Sequence, residues 1–161
     1  MSFAVPTLSG SITEGYDELL SAARALVDGE GDRVAVAANL SSLVYHSLPQ
    51  LNWVGFYFAQ DDELVVGPFQ GKPACIRIPF DRGVCGAAAR TRRTQRVADV
   101  HAVPDHIACD ADSRSELVIP LLIGDRLVGV FDLDSPVADR FTEEDERGLE
   151  RIALLVLDAQ A

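Results

Sequence analysis

Long apolar runs are missing from this chain. The longest, such as Leu117 to Ile123, fall far short of the roughly 18 residues that a membrane span needs. The opening MSFAVPTLSGSITEGY has no basic stretch followed by an apolar core, so it does not read as a signal peptide. Basic charge is scarce too: 14 Lys and Arg stand against 25 Asp and Glu, a net charge of -11. A surface this acidic repels the phosphates of nucleic acid and of an anionic membrane, and both are excluded as partners. Small cationic or zwitterionic ligands suit it better. Cysteine is the third scarcity: the three present form an odd count without a CxxC pair, unlike a secreted disulfide framework. The expected location is cytoplasmic. In a reducing cytosol the thiols are free, and their reactivity becomes the question.

What is present is ordinary globular material. The 161 residues are 48% hydrophobic and 24% charged, which excludes general disorder. A chain of that length buries roughly 70% of its unfolded surface, enough for one self-sufficient core. No repeat, linker or low-complexity tract interrupts it, so residues 1–161 are expected to form a single domain.

Ser11 with Glu14 makes a capping box, predicting a helix that runs to Gly29. A second helix is expected from Asp32 to Leu48, with Val36, Leu40, Leu43 and Val44 at helical spacing. Asn52 to Phe58 reads as a strand, and Asp61-Asp62 turns it back into Leu64-Val65-Val66. Gly67 to Ala74 is expected to be a long Gly/Pro loop, Ile76 to Pro79 a short strand and Gly83 to Thr91 a short helix. From Arg96 to Arg114 no pattern holds. Two strands follow, Glu116–Ile123 and Leu127–Asp134, joined by Gly124-Asp125. Thr142 and Asp145 cap a last helix with Leu149, Ile152, Ala153, Val156 and Leu157 on one stripe. The order predicts an α+β architecture, an antiparallel sheet covered by terminal helices.

Strand periodicity puts Asp132 and Asp134 on one face, with Val128 and Val130 expected ahead of them. Adjacent carboxylates repel, which raises a pKa unless a cation lies between them; a solvated strand end is the alternative reading. Glu116 begins the neighbouring strand. A strict two-residue turn would set it opposite Leu133, on the other face. One extra residue, from a longer loop or a bulge near Pro120, sets it opposite Asp134. Trp53, Gly55 and Tyr57 share a face, and the glycine leaves a slot between aromatic walls for a methyl or ammonium group; plain core packing is the alternative.

Among the cysteines, Cys85 in GVCGAAA fits an inert buried thiol. Cys75 closes the Gly/Pro loop, and Cys109 lies in the irregular HIACDADSRSE. There His106 and Arg114 favour a thiolate, while Asp110 and Asp112 oppose it. GPFQGK is one residue short of a phosphate-binding loop, and His101, His106 and Cys109 lack metal-ligand spacing, so no metal is expected. Arg90, Arg92, Arg93 and Arg96 read as a solvated face.

The sequence resembles the free methionine-(R)-sulfoxide reductases, members of the GAF fold. The likeness runs from NWVGFYF through GPFQGKPACIRIPFDRGVCG, TQRVADVHAVPDHIACDADSRSE and GVFDLDSP to RFTEEDERGLE, and it includes all three cysteines. It implies a central six-stranded antiparallel sheet flanked by helices, often with a homodimer through the terminal helices. It implies catalysis by Cys109, with Cys75 as the resolving thiol and Cys85 as an alternative partner. Glu116, Asp132 and Asp134 match the pocket carboxylates, with Glu116 and Asp134 also on the catalytic side, and Trp53 and Tyr57 match the aromatic wall. The implied substrate is free L-methionine-(R)-sulfoxide and the implied reductant is of the thioredoxin type, with no cofactor. The alternative is a non-catalytic GAF sensor of small molecules.

Overall fold

The computed structural model describes residues 4–104 and 110–159. Two helices open the chain, α1 (Ile12–Val27) and α2 (Arg33–Ser47). The Ser11–Glu14 capping box forms as expected, and Asp32 caps α2 by accepting from the Ala35 backbone N–H. A sheet follows: β1 (Trp53–Gln60), β2 (Glu63–Gly71), β3 (Arg77–Pro79), β4 (Gln95–Val97), β5 (Ser115–Ile123) and β6 (Arg126–Ser135). The helix α3 (Gly83–Thr91) lies between β3 and β4. The chain closes with α4 (Glu143–Ala153), which tightens into a 3-10 turn over Leu154–Leu157. No helix among the described residues is long and apolar enough to cross a membrane.

The strands form one antiparallel six-stranded sheet in the order β3-β2-β1-β6-β5-β4. Its two faces bury different things. On one, Val54, Phe56, Leu117, Ile119, Phe131 and Leu133 pack against α1, α2 and α4. On the other, Tyr57, Leu64, Val118 and Val130 pack against Val84, Ala88 and Ala89 of α3. Strand alternation divides the residues between the faces, and a two-sided burial makes β1, β5 and β6 apolar throughout their middles. A buried hydrogen bond ties the chain ends together, Tyr16 donating to Asp145 at 2.6 Å.

Three expectations need correction. Gly67 to Gly71 is not loop but the second half of β2. The Gly-Pro pair marks a bulge, because Gly55 pairs with Phe69 and Tyr57 with Val66, so Gly67 and Pro68 together face Phe56. A bulge is where a strand tolerates proline, which lacks the ladder donor. The patternless stretch opens inside β4 (Gln95–Val97), whose three residues pair with Glu116, Leu117 and Val118. That strand is too short to carry a period of its own. Val128, finally, does not share the face of Val130: it packs with the helix-side core while Leu127 and Val130 take the α3 side. The cause lies in the β5–β6 hairpin, where Leu122 pairs with Leu127 but Leu121 pairs with Gly129, leaving Val128 as the extra residue.

Candidate active site

That extra residue builds the site. With it, Glu116 pairs with Asp134 and Val118 with Asp132. On the other side of β6, Trp53 pairs with Asp134 and Gly55 with Asp132. Directly paired residues project from the same face. Trp53, Asp134 and Glu116 therefore form one row across three strands, with Gly55, Asp132 and Val118 in the next. Both rows point toward α3, where Cys85 comes down onto them with its Sγ 3.8 Å from Glu116 Oε1.

The result is a cleft with about 520 Å³ of space, part of it open to solvent. Its floor is Glu116, Asp132 and Asp134; its walls include Trp53, Tyr57, Val84 and Cys85; its rim includes Pro73, Ala74, Asp110 and Ser113. Glu116 and Asp132 are each only 5% exposed. Burial pushes both carboxyls well above their ordinary range, and the neighbouring charge (Asp134 for Glu116, Glu116 for Asp132) pushes the same way. The carboxyl of Asp134 is raised first by burial, then by Asp132 and Asp110. Asp132 Oδ1 is buried without a hydrogen-bond partner. The cleft thus gathers three acids of raised proton affinity and offers an unsatisfied acceptor.

The aromatic wall differs from the expected slot. The Trp53 ring lies over Gly55, where an added Cβ would stand 2.6 Å from Trp53 Cη2 and 2.3 Å from the Phe69 Cβ. Gly55 accommodates the indole itself. Trp53 stacks on Tyr57 with centroids 5.7 Å apart and on Phe69 at 5.1 Å, a continuous surface of three rings. Phe69 was hidden because its segment read as loop. The wall also holds the cysteine loop: Trp53 Nε1 donates to the Lys72 carbonyl at 3.2 Å and the Tyr57 hydroxyl to the Cys75 carbonyl at 3.2 Å.

The cysteines divide. Cys75 is disulfide-bonded, and Cys85 is a free, buried thiol. Cys85 is buried in the α3-side core, as its sequence context suggested, but it also faces the cleft. It lines the cleft, where burial raises its pKa first and the charges of Asp132, Glu116 and Asp134 raise it further. Cys109 and His106 lie outside the described residues. The segment after Cys109 is held by Lys72, whose Nζ lies 2.7 Å from Asp112 Oδ2 and 3.4 Å from Asp110 Oδ1. The acids expected to oppose a thiolate therefore face a lysine, and the Asp110 carboxyl is lowered first by the Asp112 backbone N–H and then by Lys72. Arg114, thought to favour the thiolate, instead pairs with Asp99 at 3.1 Å. Asn52 completes the rim, its Nδ2 donating to Ser113 Oγ at 3.1 Å and Asp110 Oδ2 at 3.3 Å. The repeated small and acidic residues of CDADS were the one sequence signal for this rim.

Known proteins share the whole of this architecture. A profile of the GAF domain matches residues 11–158. Protein YtsP of Bacillus subtilis is 52% identical over 94% of both chains. The free methionine-R-sulfoxide reductase of Escherichia coli is 51% identical over 87% of this chain and 85% of its own. The solved structure of free methionine-R-sulfoxide reductase from Neisseria meningitidis, in complex with its substrate, superposes with a TM-score of 0.91 at 41% identity. It covers 96% of this chain and 93% of its own. The chain belongs to the free methionine-R-sulfoxide reductases, an oxidoreductase family built on the GAF domain.

Proposed function

We propose that the protein reduces free L-methionine-(R)-sulfoxide to methionine by a thiol mechanism centred on Cys109. The observation that carries this reading is the crowding of Glu116, Asp132 and Asp134, with raised proton affinities, against the Trp53–Tyr57 wall in one cleft. Reduction of a sulfoxide needs a nucleophile for sulfur and a proton for the departing oxygen. A carboxylic acid that keeps its proton near neutrality supplies the second. The thiolate of Cys109 attacks the sulfoxide sulfur, the acid cluster protonates the oxygen, methionine leaves, and Cys109 becomes a sulfenic acid. The Cys75 thiol then attacks that sulfur, water departs, and an intramolecular disulfide remains. The disulfide at Cys75, with Cys85 free, favours Cys75 over Cys85 as resolving thiol. A dithiol of the thioredoxin type returns both sulfurs to thiols by exchange.

Substrate selection follows from the same walls. The remaining negative charge of the acid cluster attracts an α-ammonium, which a residue inside a peptide lacks. The rings of Trp53 and Tyr57 hold the S-methyl group and distinguish the epimers by shape. Ile12, Val34 and Leu154 are exposed apolar side chains on the terminal helices and suit a homodimer there.

One coupled assay tests the reading. Protein, thioredoxin, its reductase and NADPH should consume NADPH on addition of free L-methionine-(R)-sulfoxide and not of the S epimer. Cys109→Ser should abolish turnover, and Cys75→Ser should leave about one turnover per site. A Cys109→Ser variant with full steady-state rate would overturn the roles. Tight substrate binding without any turnover would favour a sensor.

A further inference from the structure

Three soft and hard donors converge at the bottom of the cleft. Cys85 Sγ, a Glu116 carboxylate oxygen and an Asp132 carboxylate oxygen all lie within 4.8 Å of one another, on three different elements. Cys85 is 4% exposed, and Glu116 and Asp132 are 5% exposed. In a tetrahedral zinc site, bonds of about 2.3 Å to sulfur and 2.0 Å to oxygen put those two donors about 3.5 Å apart. Here Cys85 Sγ and Glu116 Oε1 are 3.8 Å apart, so side-chain adjustment alone brings them to that spacing.

A second observation points to a ligand independently of the cluster. Asp132 Oδ1 is buried, lines the cleft and has no hydrogen-bond partner. An orphaned acceptor of this kind is costly in the interior, and a bound cation removes the cost. Calcium and magnesium prefer six or more oxygens and leave a thiolate unused. A sulfur with two carboxylates instead suits a thiophilic ion of tetrahedral habit. The fourth position would face the open cleft.

We propose that Cys85, Glu116 and Asp132 form a three-ligand site for a thiophilic divalent cation, Zn²⁺ in the first instance, and that filling it reversibly blocks the cleft. On binding, the proton of the Cys85 thiol and any proton carried by the two acids pass to solvent, leaving one thiolate and two carboxylates around the ion. The blocking part rests on the function proposed above, because the ion would occupy the acids that must deliver a proton and face the substrate. The binding part does not rest on it.

The experiment therefore begins without substrate. The oxidised protein, shown by thiol titration to have one free cysteine, is titrated with Zn²⁺ by calorimetry and with Cd²⁺ by ultraviolet absorption. One ion per chain and a sulfur-to-cadmium charge-transfer band are expected. Cys85→Ser should lose the band, and Asp132→Asn should weaken binding by roughly tenfold or more. Absence of the band, or equal affinity in wild type and both variants, means surface carboxylates collecting an ion adventitiously and overturns the site. In the coupled assay, with the recycling enzymes controlled separately, Zn²⁺ should raise KM for the sulfoxide and leave kcat unchanged, and a chelator should restore the rate. Binding with no change in KM overturns the blocking part. An enzyme inactive before any metal is added overturns the function and leaves the binding result standing.

Discussion

Glu116 on β5 stands directly across the ladder from Asp134 on β6, and Asp134 in turn stands across from Trp53 on β1. The first relation depends on Val128, the extra residue of the hairpin between Leu122–Leu127 and Leu121–Gly129. Without it, Glu116 would face Leu133 and turn toward the helices. A single unpaired residue decides whether three acids meet, because strand side chains alternate and a one-residue slip exchanges faces.

The acids should make stability depend on pH. Glu116, Asp132 and Asp134 bind their protons more tightly in the folded protein than in the unfolded chain. Such groups support the fold fully below their ordinary unfolded pKa, and that support drains away as pH climbs through the raised folded value. The melting temperature should therefore decline from mildly acidic to alkaline buffer. Asp132→Asn removes one titration at nearly constant shape, so its decline should be shallower and its melting temperature above wild type at alkaline pH. A steeper decline in the variant would contradict this.

Gly55→Ala should damage the wall. The new Cβ would meet Trp53 Cη2 at 2.6 Å and Phe69 Cβ at 2.3 Å, so the indole must leave its place beside the acids. Overpacking of this kind costs roughly 1–3 kcal/mol. Chemical denaturation should report that loss, and KM for the sulfoxide should rise with it. An unchanged KM would mean that Trp53 does not contact substrate.

Lys72→Ala separates local positioning from stability. Lys72 sits on the Cys75 loop and bridges to Asp110 and Asp112 just after Cys109. The ammonium is exposed, so the melting temperature should barely move. Closure of the disulfide after one turnover should slow, which rapid quench and thiol counting would resolve. Methionine release in that first turnover should keep its wild-type rate.

Tyr16→Phe serves as the contrasting case. Its hydroxyl donates to Asp145 at 2.6 Å between α1 and α4, on the sheet face away from the cleft. Removing a buried hydrogen bond to a charged group costs about 1.5–3 kcal/mol. Denaturant midpoint should fall accordingly, while KM and kcat of the folded protein stay as they were.

Much of this protein could be read from its chain because the signals are local. The Ser11–Glu14 and Thr142–Asp145 boxes announce α1 and α4, and α3 begins and ends where its small residues do. Gly124, at φ +59°, makes the tight turn that its pairing with Asp125 foretold. The cleft residues Trp53, Tyr57, Glu116, Asp132 and Asp134 were nameable by periodicity and family likeness. What periodicity missed were elements created by their partners. β4 exists because β5 offers it a ladder, and the second half of β2 exists because a bulge absorbs Pro68.

The sequence by itself determined the chemistry in hand: the acids, the rings, the thiols, and the helix caps and turns that each segment encodes within a few residues. Only the tertiary structure decided which of them touch. Val128 turned Glu116 toward the acids, Gly55 received the Trp53 ring, and α3 set Cys85 against Glu116. The physical reason is that caps and turns form between near neighbours in the chain. Strand register and helix-on-sheet packing are chosen by contacts between distant segments, and no local pattern contains them.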